Sequence, residues 1–333
     1  MTGNPPLALP DVEPGLAGSL QAGLAAVEDY LRRRVDHDDP FVAEASGHLL
    51  AAGGKRFRPV LTLLAAHLGR GVSEQVIAAA AAVELTHLAS LYHDDVMDEA
   101  LVRRHVPSAN AAYGNSTAIL VGDLLFGTAS SIVADLGPDA VKIQAETFVR
   151  LCAGQIRDAR PGPPGQDGVD YYLGVLADKT GVLIATAARY GAMFSGCDEA
   201  TVEIMRGYGE RLGMAFQLAD DLLDIASEGQ TSGKMPGTDL REGVATLPVL
   251  YVRRAARATD AELLELLGRD LRDDDAGVAR ALELLRAHPA LQEARATTRA
   301  VAQEARDLLR PLGTGPAVRA LDGLAAGVAD RSA

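Results

Sequence analysis

The stretch LTHLASLYHDDVMDEALVRR, residues Leu85 to Arg104, decides the fold and chemistry that we expect of this chain. Residues three and four apart share one face of a helix. One helical stripe would therefore carry His87, Ser90, Leu91, Asp94 and Asp98, with Asp95 beside it. Three carboxylates within five residues repel one another, and Mg²⁺ binds such oxygens together with substrate phosphates. The arginines that follow match phosphate geometry, so the stretch predicts a metal–diphosphate site.

A second acidic cluster lies in FQLADDLLD, residues Phe216 to Asp224. Because residues three and four apart share a helical face, one face of this segment would carry four polar side chains: Gln217, Asp220, Asp221 and Asp224. A single cluster of this kind also occurs on solvated helix surfaces. Leucines surround this one, however, so the helix is expected to be mostly buried and its acids need partners. A metal shared between two facing helices would satisfy both clusters.

Composition favours an all-helical protein with a substantial core. The chain has 333 residues, of which 48% are hydrophobic, and Ala and Leu dominate while strand formers are few. Residues 1–15 are rich in Pro and Gly and are expected to form a flexible arm, followed by a single domain over 16–333. The formal charge of −13 argues against nonspecific nucleic-acid binding.

The sequence predicts a soluble, cytoplasmic protein. The N-terminus has neither the basic nor the apolar region of a signal peptide. No uninterrupted apolar run approaches the roughly 20 residues of a membrane span. Cys152 and Cys197 are too few for a disulfide framework and indicate a reducing compartment.

Helices are expected up to Val35, over Pro40–Ala52 with Asp39 as N-cap, from Ser73, over Tyr113–Ala134, over Pro138–Arg160 and over Asp170–Phe194. After Gly53 and Gly54, the segment Lys55-Arg56-Phe57-Arg58 would hold three cations beside a helix that starts at Pro59. This predicts an anion site, with a solvated helix connection as the alternative.

Two further cations have no obvious structural purpose. Lys179 lies in an otherwise apolar helix, where an ammonium costs free energy unless it meets an anion. Lys234 lies in the polar stretch 227–243, which could act as a lid over a charged ligand.

Five motifs together resemble a known family, the trans-isoprenyl diphosphate synthases or polyprenyl synthetases. They are GGKRFRP, HDDVMDEALVRR, KTGVL, FQLADDLLD and GKMPGTDLREGVATLP, in family order over about residues 40 to 255. The resemblance implies an all-α isoprenoid-synthase bundle around a central cavity, usually as a homodimer. It also implies head-to-tail condensation of isopentenyl diphosphate with an allylic diphosphate.

The resemblance also assigns roles to residues. It implies that three Mg²⁺ per active site are held by Asp94, Asp95, Asp98, Asp220, Asp221 and Asp224. Isopentenyl diphosphate would contact Lys55, Arg58, His87 and Arg104. The allylic diphosphate would contact Arg103, Lys179, Thr180, Gln217 and Lys234. Oxygens of Thr180 and Gln217 could also stabilise the allylic cation, which must be kept from water.

Two positions depart from the family pattern, and others bear on product length. His105 stands where the family commonly has Gly, and Val244 stands where it commonly has Lys. The chain-length pocket would include Ala89 and Ser90, five and four residues before the first aspartate, and Phe148 as a candidate floor. Small residues before the motif resemble synthases of longer chains, so we expect products of C20 or longer.

Two other functions compete with this one. A class I terpene cyclase shares the fold, but cyclases usually carry a different second motif and aromatic-lined cavities, whereas this chain has no Trp and 4% aromatic residues. A non-catalytic partner subunit of a heteromeric synthase is the other alternative, favoured by the departures at His105 and Val244.

Overall fold

Helices form almost all the regular structure of this protein, whose computed structural model describes residues 12–227 and 236–330. The helices before residue 160 are α1 (Pro14–Val35), α2 (Pro40–Ala51), α3 (Phe57–Ala66), α4 (Glu74–Met97), α5 (Ala109–Tyr113), α6 (Asn115–Leu136) and α7 (Pro138–Asp158). Those after it are α8 (Gly168–Leu176), α9 (Val182–Phe194), α10 (Glu199–Ala226), α11 (Thr238–Arg241), α12 (Leu247–Ala255), α13 (Ala261–Leu266), α14 (Asp275–Ala287), α15 (Pro289–Leu308) and α16 (Pro316–Asp330). The expected all-α class is confirmed.

Short elements connect some of these helices. Strands β1 (Val102–Arg103) and β2 (Val106–Pro107) form an antiparallel hairpin directly after α4. A π-helical turn, Ala177–Gly181, separates α8 from α9. Two 3₁₀ turns lie at Ala258–Asp260 and Arg310–Leu312.

Side chains cap the helices that the sequence predicted. The carboxylate of Asp39 accepts hydrogen bonds from the backbone N–H groups of Phe41 and Val42, which starts α2. Ser73 accepts from the N–H of Val76 and starts α4. Cations occupy the last turn of α1, where they oppose the negative end of the helix dipole.

The helices group into two compact units, each with its own core. The first comprises the described parts of Met1–Val149, Leu183–Gly209 and Leu309–Gly323. In it α4 packs against α1, α3 and α6, and the alanines at 79–82 of α4 are fully buried because small side chains allow close helix approach. The second comprises the described parts of Arg150–Val182, Glu210–Leu308 and Leu324–Ala333. There α12 packs against α8 and α15. The single domain expected over 16–333 stays a prediction.

Two helices, α4 and α6, are long and apolar enough to cross a membrane by length and composition alone. Neither helix is an uninterrupted apolar run, because α4 contains Glu84 and α6 contains Asp123. Core helices of soluble proteins meet the same criterion, and 72% of the α4 window is buried inside the fold. The window of α6 is 39% buried, so this helix carries an exposed apolar face.

Other sequence expectations need smaller corrections. Helix α1 begins at Pro14, inside the predicted arm, most of which lies outside the described residues. Helix α3 begins at Phe57 rather than Pro59, because Arg56 adopts a left-handed conformation with φ of +48° and ends the preceding loop. The helix predicted over Asp170–Phe194 is interrupted by the π-turn, which no periodicity in the sequence indicated.

Candidate active site

The first acidic motif lies at the C-terminal end of α4, where its three carboxylates differ in exposure. Asp94 is half-buried, Asp95 is fully buried and Asp98 is exposed. Asp98 is the residue after the helix end, and its N–H still donates to the carbonyl of Asp94 at 2.8 Å. The expected stripe is therefore present, with Asp94 and Asp98 at the surface and Asp95 inside.

Asp95 binds the arginine that follows the motif. Its Oδ1 accepts from Nε and Nη2 of Arg103, each at 2.6 Å, while its Oδ2 is buried without a hydrogen-bond partner. Burial raises the pKa of the Asp95 carboxyl, and the hydrogen bond from Arg103 opposes this rise. Asp95 thus holds Arg103 in place, a contact that the sequence did not predict.

The hairpin that carries Arg103 turns through two residues with left-handed backbone. Val102 pairs with Pro107 and Arg103 with Val106, which leaves Arg104 and His105 at the turn with φ of +53° and +66°. Two-residue hairpins of this kind favour glycine because it adopts positive φ without strain. This explains why a glycine would suit the position of His105.

Arg104, Arg58 and His87 form a basic cluster in the first unit. Arg104 donates through Nη1 to the carbonyls of Leu49, at 2.9 Å, and Gly53. A Cβ at Gly54 would lie only 3.0 Å from Cζ of Arg104, so glycine permits this approach.

Charge and burial make this cluster suited to an anion. The Nε of Arg58 is buried without a hydrogen-bond partner, and burial lowers the pKa of this guanidinium to about 10. Burial, followed by the positive charges of Arg58 and Arg104, holds the pKa of His87 well below its usual value. Buried donors without partners are costly, which a diphosphate oxygen would relieve. Lys55 is exposed beside the cluster.

Arg56, the middle cation of the predicted anion loop, points into the protein instead. It is 5% exposed, and its Nη1 lies 3.0 Å from Oε1 of Glu84, which is 2% exposed. It also pairs with Glu28 and donates to the carbonyl of Leu50 at 3.0 Å. A cavity of about 480 Å³ adjoins Arg56 between α1 and α2, and neither Lys55 nor Arg58 is among its lining residues.

The second acidic motif lies on α10, and its middle aspartate is buried. Asp221 accepts hydrogen bonds from the hydroxyl of Tyr172 and from Nε2 of Gln217, the latter at 2.9 Å. Burial, together with the neighbouring Asp220 and Asp224, raises the pKa of Asp221 to about 6, although both hydrogen bonds oppose this. Asp221 therefore has the same position in its motif as Asp95 has in the first.

Asp224 and Asp220 occupy the less buried positions of this motif. The carboxylate of Asp224 accepts from the N–H groups of Thr238, at 3.2 Å, and Asp239, at 3.0 Å. It thereby fixes the start of α11, which lies inside the polar stretch 227–243. Lys234, predicted from this stretch to contact a diphosphate, lies outside the described residues.

The π-turn presents Lys179 and Thr180. Nζ of Lys179 lies 2.7 Å from Oδ2 of Asp158, and the hydroxyl of Thr180 donates to Oε1 of Gln217 at 3.4 Å. Gln217 thus connects the π-turn to the second acidic motif in the second unit. Asp158 and Tyr172 were not predicted, because their contacts join residues 21 and 49 positions apart.

The predicted chain-length residues lie in the first unit. Ala89 is fully buried, and Ser90 is half-buried with its hydroxyl donating to the carbonyl of His87 at 2.9 Å. Phe148 packs on Phe126, with ring centroids 4.3 Å apart. A partner for Phe148 was not expected from the sequence.

Within residues 12–227 and 236–330, no three His, Cys, Asp or Glu side chains are gathered closely enough to hold a metal ion by themselves. The partly accessible carboxylates of both motifs supply the oxygen donors that Mg²⁺ prefers.

Comparison with known proteins defines the class. Residues 39–285 match the family described as polyprenyl synthetase. A nonaprenyl diphosphate synthase of Mycobacterium tuberculosis is 48% identical over 309 residues, covering 92% of each chain. A heptaprenyl diphosphate synthase component 2 of Geobacillus stearothermophilus is 41% identical over 233 residues, 70% of this chain and 73% of the other.

Solved structures agree with these relatives. A geranylgeranyl pyrophosphate synthase of Corynebacterium glutamicum, crystallised with calcium and isoprenyl diphosphate, superposes with a TM-score of 0.87 at 42% identity. The match covers 96% of this chain and 99% of that one. The chain therefore belongs to the polyprenyl synthetase family. It is a prenyltransferase that makes prenyl diphosphates, which confirms the expected family, fold and reaction class.

Proposed function

We propose that this protein elongates an allylic diphosphate of C5 to C15 with isopentenyl diphosphate to give a trans-polyprenyl diphosphate of C20 or longer. The observation that carries this proposal is the buried, unpartnered Nε of Arg58 beside Arg104 and His87, a cluster suited to a diphosphate. The names of the relatives, nonaprenyl and geranylgeranyl synthases, support the class of substrate and product. We place the enzyme in the cytoplasm.

Isopentenyl diphosphate would bind at the basic cluster and at exposed Lys55. Arg58 and Arg104 would neutralise phosphate oxygens, and neutral His87 would donate one hydrogen bond from its ring. A fixed cluster of this kind aims the double bond of the substrate at the allylic carbon, which is a positioning task.

The allylic diphosphate would be held by Arg103, Lys179, Thr180, Gln217 and Lys234. We assign Asp94, Asp98, Asp220 and Asp224 as ligands of three Mg²⁺, with buried Asp95 and Asp221 supporting them from inside. Bound Mg²⁺ would neutralise the charge that develops on the leaving diphosphate. Thr180 and Gln217 would direct their oxygens at the allylic cation and help to exclude water.

We also propose a homodimer. Helix α6 exposes three large apolar side chains, Ile119, Leu120 and Leu124, of which Leu120 is 67% exposed. Apolar surface of this kind on a helix marks an interaction site. Leu120→Lys with Leu124→Lys should yield monomers in light-scattering measurements, and a variant that stays dimeric would exclude this face.

Kinetics of Arg58→Ala test the assignment of the basic cluster. We expect the KM for isopentenyl diphosphate to rise about 100-fold, since one charged donor to a phosphate is lost, with a much smaller change for the allylic substrate. Arg254→Ala is the matched control, because Arg254 forms an exposed ion pair with Glu293 at 2.9 Å. Equal changes in both KM values would contradict the assignment.

A second candidate is the partner subunit of a heteromeric synthase. The name of the Geobacillus relative, component 2, and the exposed Val244 in place of a family lysine favour it. Elongation by the purified chain alone would exclude this candidate, and activity that requires a second protein would support it.

A further inference from the structure

The π-turn Ala177–Gly181 is an unusual backbone segment that carries two proposed substrate contacts. A π-turn widens the helix by one residue, is rare, and occurs mostly at functional sites. The helices on either side, α8 and α9, are regular. The turn itself is contacted by side chains and backbone of α7.

Asp178, inside the π-turn, is bound by two arginines of α7. Its Oδ1 accepts from Nε of Arg150 at 2.8 Å, and its Oδ2 accepts from Nη1 of Arg157 at 2.9 Å. Arg150 also reaches Oε1 of Glu210 at 2.8 Å. Two ion pairs to separate oxygens fix both the position and the rotation of this carboxylate.

Each arginine is oriented by a further contact. The guanidinium of Arg157 lies over the ring of Tyr171 at 5.0 Å, and the Tyr171 hydroxyl donates to the carbonyl of Arg157 at 2.8 Å. Arg150 and Arg157 lie seven residues apart, so both face the same side of α7. Each arginine is thus held by a contact in addition to that with Asp178.

Gly154, between the two arginines, lets the backbones meet. A Cβ at this position would lie 2.5 Å from the nitrogen of Lys179 and 2.8 Å from the carbonyl carbon of Asp178. Both atoms belong to backbone and cannot move aside without shifting the turn. Gly154 and the ion pairs are independent constraints on the same two residues.

We propose that Asp178, clamped by Arg150 and Arg157, is a positioning residue that sets the orientation of Lys179 and Thr180 toward the allylic diphosphate. The inference rests on the proposed function, and it assigns no substrate contact to either arginine or to Asp178. Lys179 is the residue directly after Asp178, so a shift of the turn would displace the ammonium group of Lys179.

Steady-state kinetics of Asp178→Asn and Gly154→Ala test this role. Both should raise the KM for the allylic diphosphate about tenfold or more, because small displacements of a positioning group are costly, and leave the KM for isopentenyl diphosphate unchanged. Glu293→Gln, which breaks an exposed ion pair, and Gly127→Ala, which meets no atom within 4 Å, are the matched controls. Asp178→Glu should recover part of the loss.

A double-variant cycle separates positioning from general destabilisation. If Asp178 acts through Lys179, Asp178→Asn should have little further effect on KM in a Lys179→Ala background. Equal effects in both backgrounds, or parallel rises in both KM values, would overturn the proposal.

Hydrogen exchange tests the clamp without relying on activity. Amides of residues 177–181 should exchange faster in Asp178→Asn than in the original protein, and unchanged exchange would overturn the proposal. An inactive original protein would instead contradict the proposed function, while this exchange measurement would still decide the clamp.

Discussion

Arg103 places its Nε and Nη2 at 2.6 Å from a single oxygen of Asp95, which is fully buried at the end of α4. One aspartate of the first motif therefore orients an arginine, while the other two, Asp94 and Asp98, are more accessible. The second motif repeats this division, with Asp221 buried and bound to Tyr172 and Gln217.

This division predicts different metal dependence for buried Asp95 and exposed Asp98. Asp95→Asn should lower kcat/KM for the allylic substrate about 100-fold by releasing Arg103, with little change in the Mg²⁺ concentration for half-maximal activity. Asp98→Asn should raise that concentration. Asp123→Asn is the control, since Asp123 is 63% exposed on α6. Equal Mg²⁺ dependence in the Asp95 and Asp98 variants would contradict the division.

The ion pair of Arg56 with Glu84 predicts a large effect on stability. Arg56→Ala leaves a carboxylate that is 2% exposed without its partner, so the free energy of unfolding should fall by about 3–5 kcal/mol. Arg32→Ala breaks an exposed pair with Asp29 and should cost less than about 1 kcal/mol. Denaturant unfolding measures both, and similar values would show that Arg56 is not structural.

The backbone of His105 predicts a stabilising substitution. With φ of +66°, a side chain here is strained, and His105→Gly should raise the free energy of unfolding by about 1 kcal/mol. His105→Ala keeps the Cβ and should bring no gain. Thermal unfolding measures the stability of both variants. Equal stability of the His105→Gly and His105→Ala proteins would show that the backbone at this position is not strained.

The position of Ala89 predicts control of product length. Ala89→Phe adds an aromatic ring five residues before Asp94 and should shorten the main product by one or more C5 units. Because Ala89 is fully buried, its overpacking should also cost about 1–3 kcal/mol of stability. Ala300→Phe, on the exposed face of α15, is the control. An unchanged product distribution by mass spectrometry would remove Ala89 from the pocket.

Local signals predicted much of this structure. Asp39 and Ser73 cap the helices that the sequence assigned to them, and the helix that carries each acidic motif was expected. Capping and helical periodicity depend on neighbours within about four residues, so the sequence reports them directly.

Contacts between distant residues could not be predicted in this way. Arg56 was expected beside an anion, but its partners Glu28 and Glu84 lie 28 residues away on either side. The π-turn packs against Gly154 of another helix, where a Cβ would lie 2.5 Å from the nitrogen of Lys179, and periodicity within the turn carries no sign of this contact. Such features depend on contacts between distant residues. These contacts select one of several conformations that the local sequence allows.

The most direct measurement is the mass of the product that the purified chain makes from isopentenyl diphosphate and a C15 allylic diphosphate with Mg²⁺. The two acidic motifs and the basic cluster predict elongation of this primer, and the small Ala89 and Ser90 predict products of C20 or longer. Elongation should be lost in Asp94→Asn and in Asp224→Asn but not in Asp123→Asn. Failure of the unsubstituted protein to extend the C15 allylic diphosphate would contradict the account.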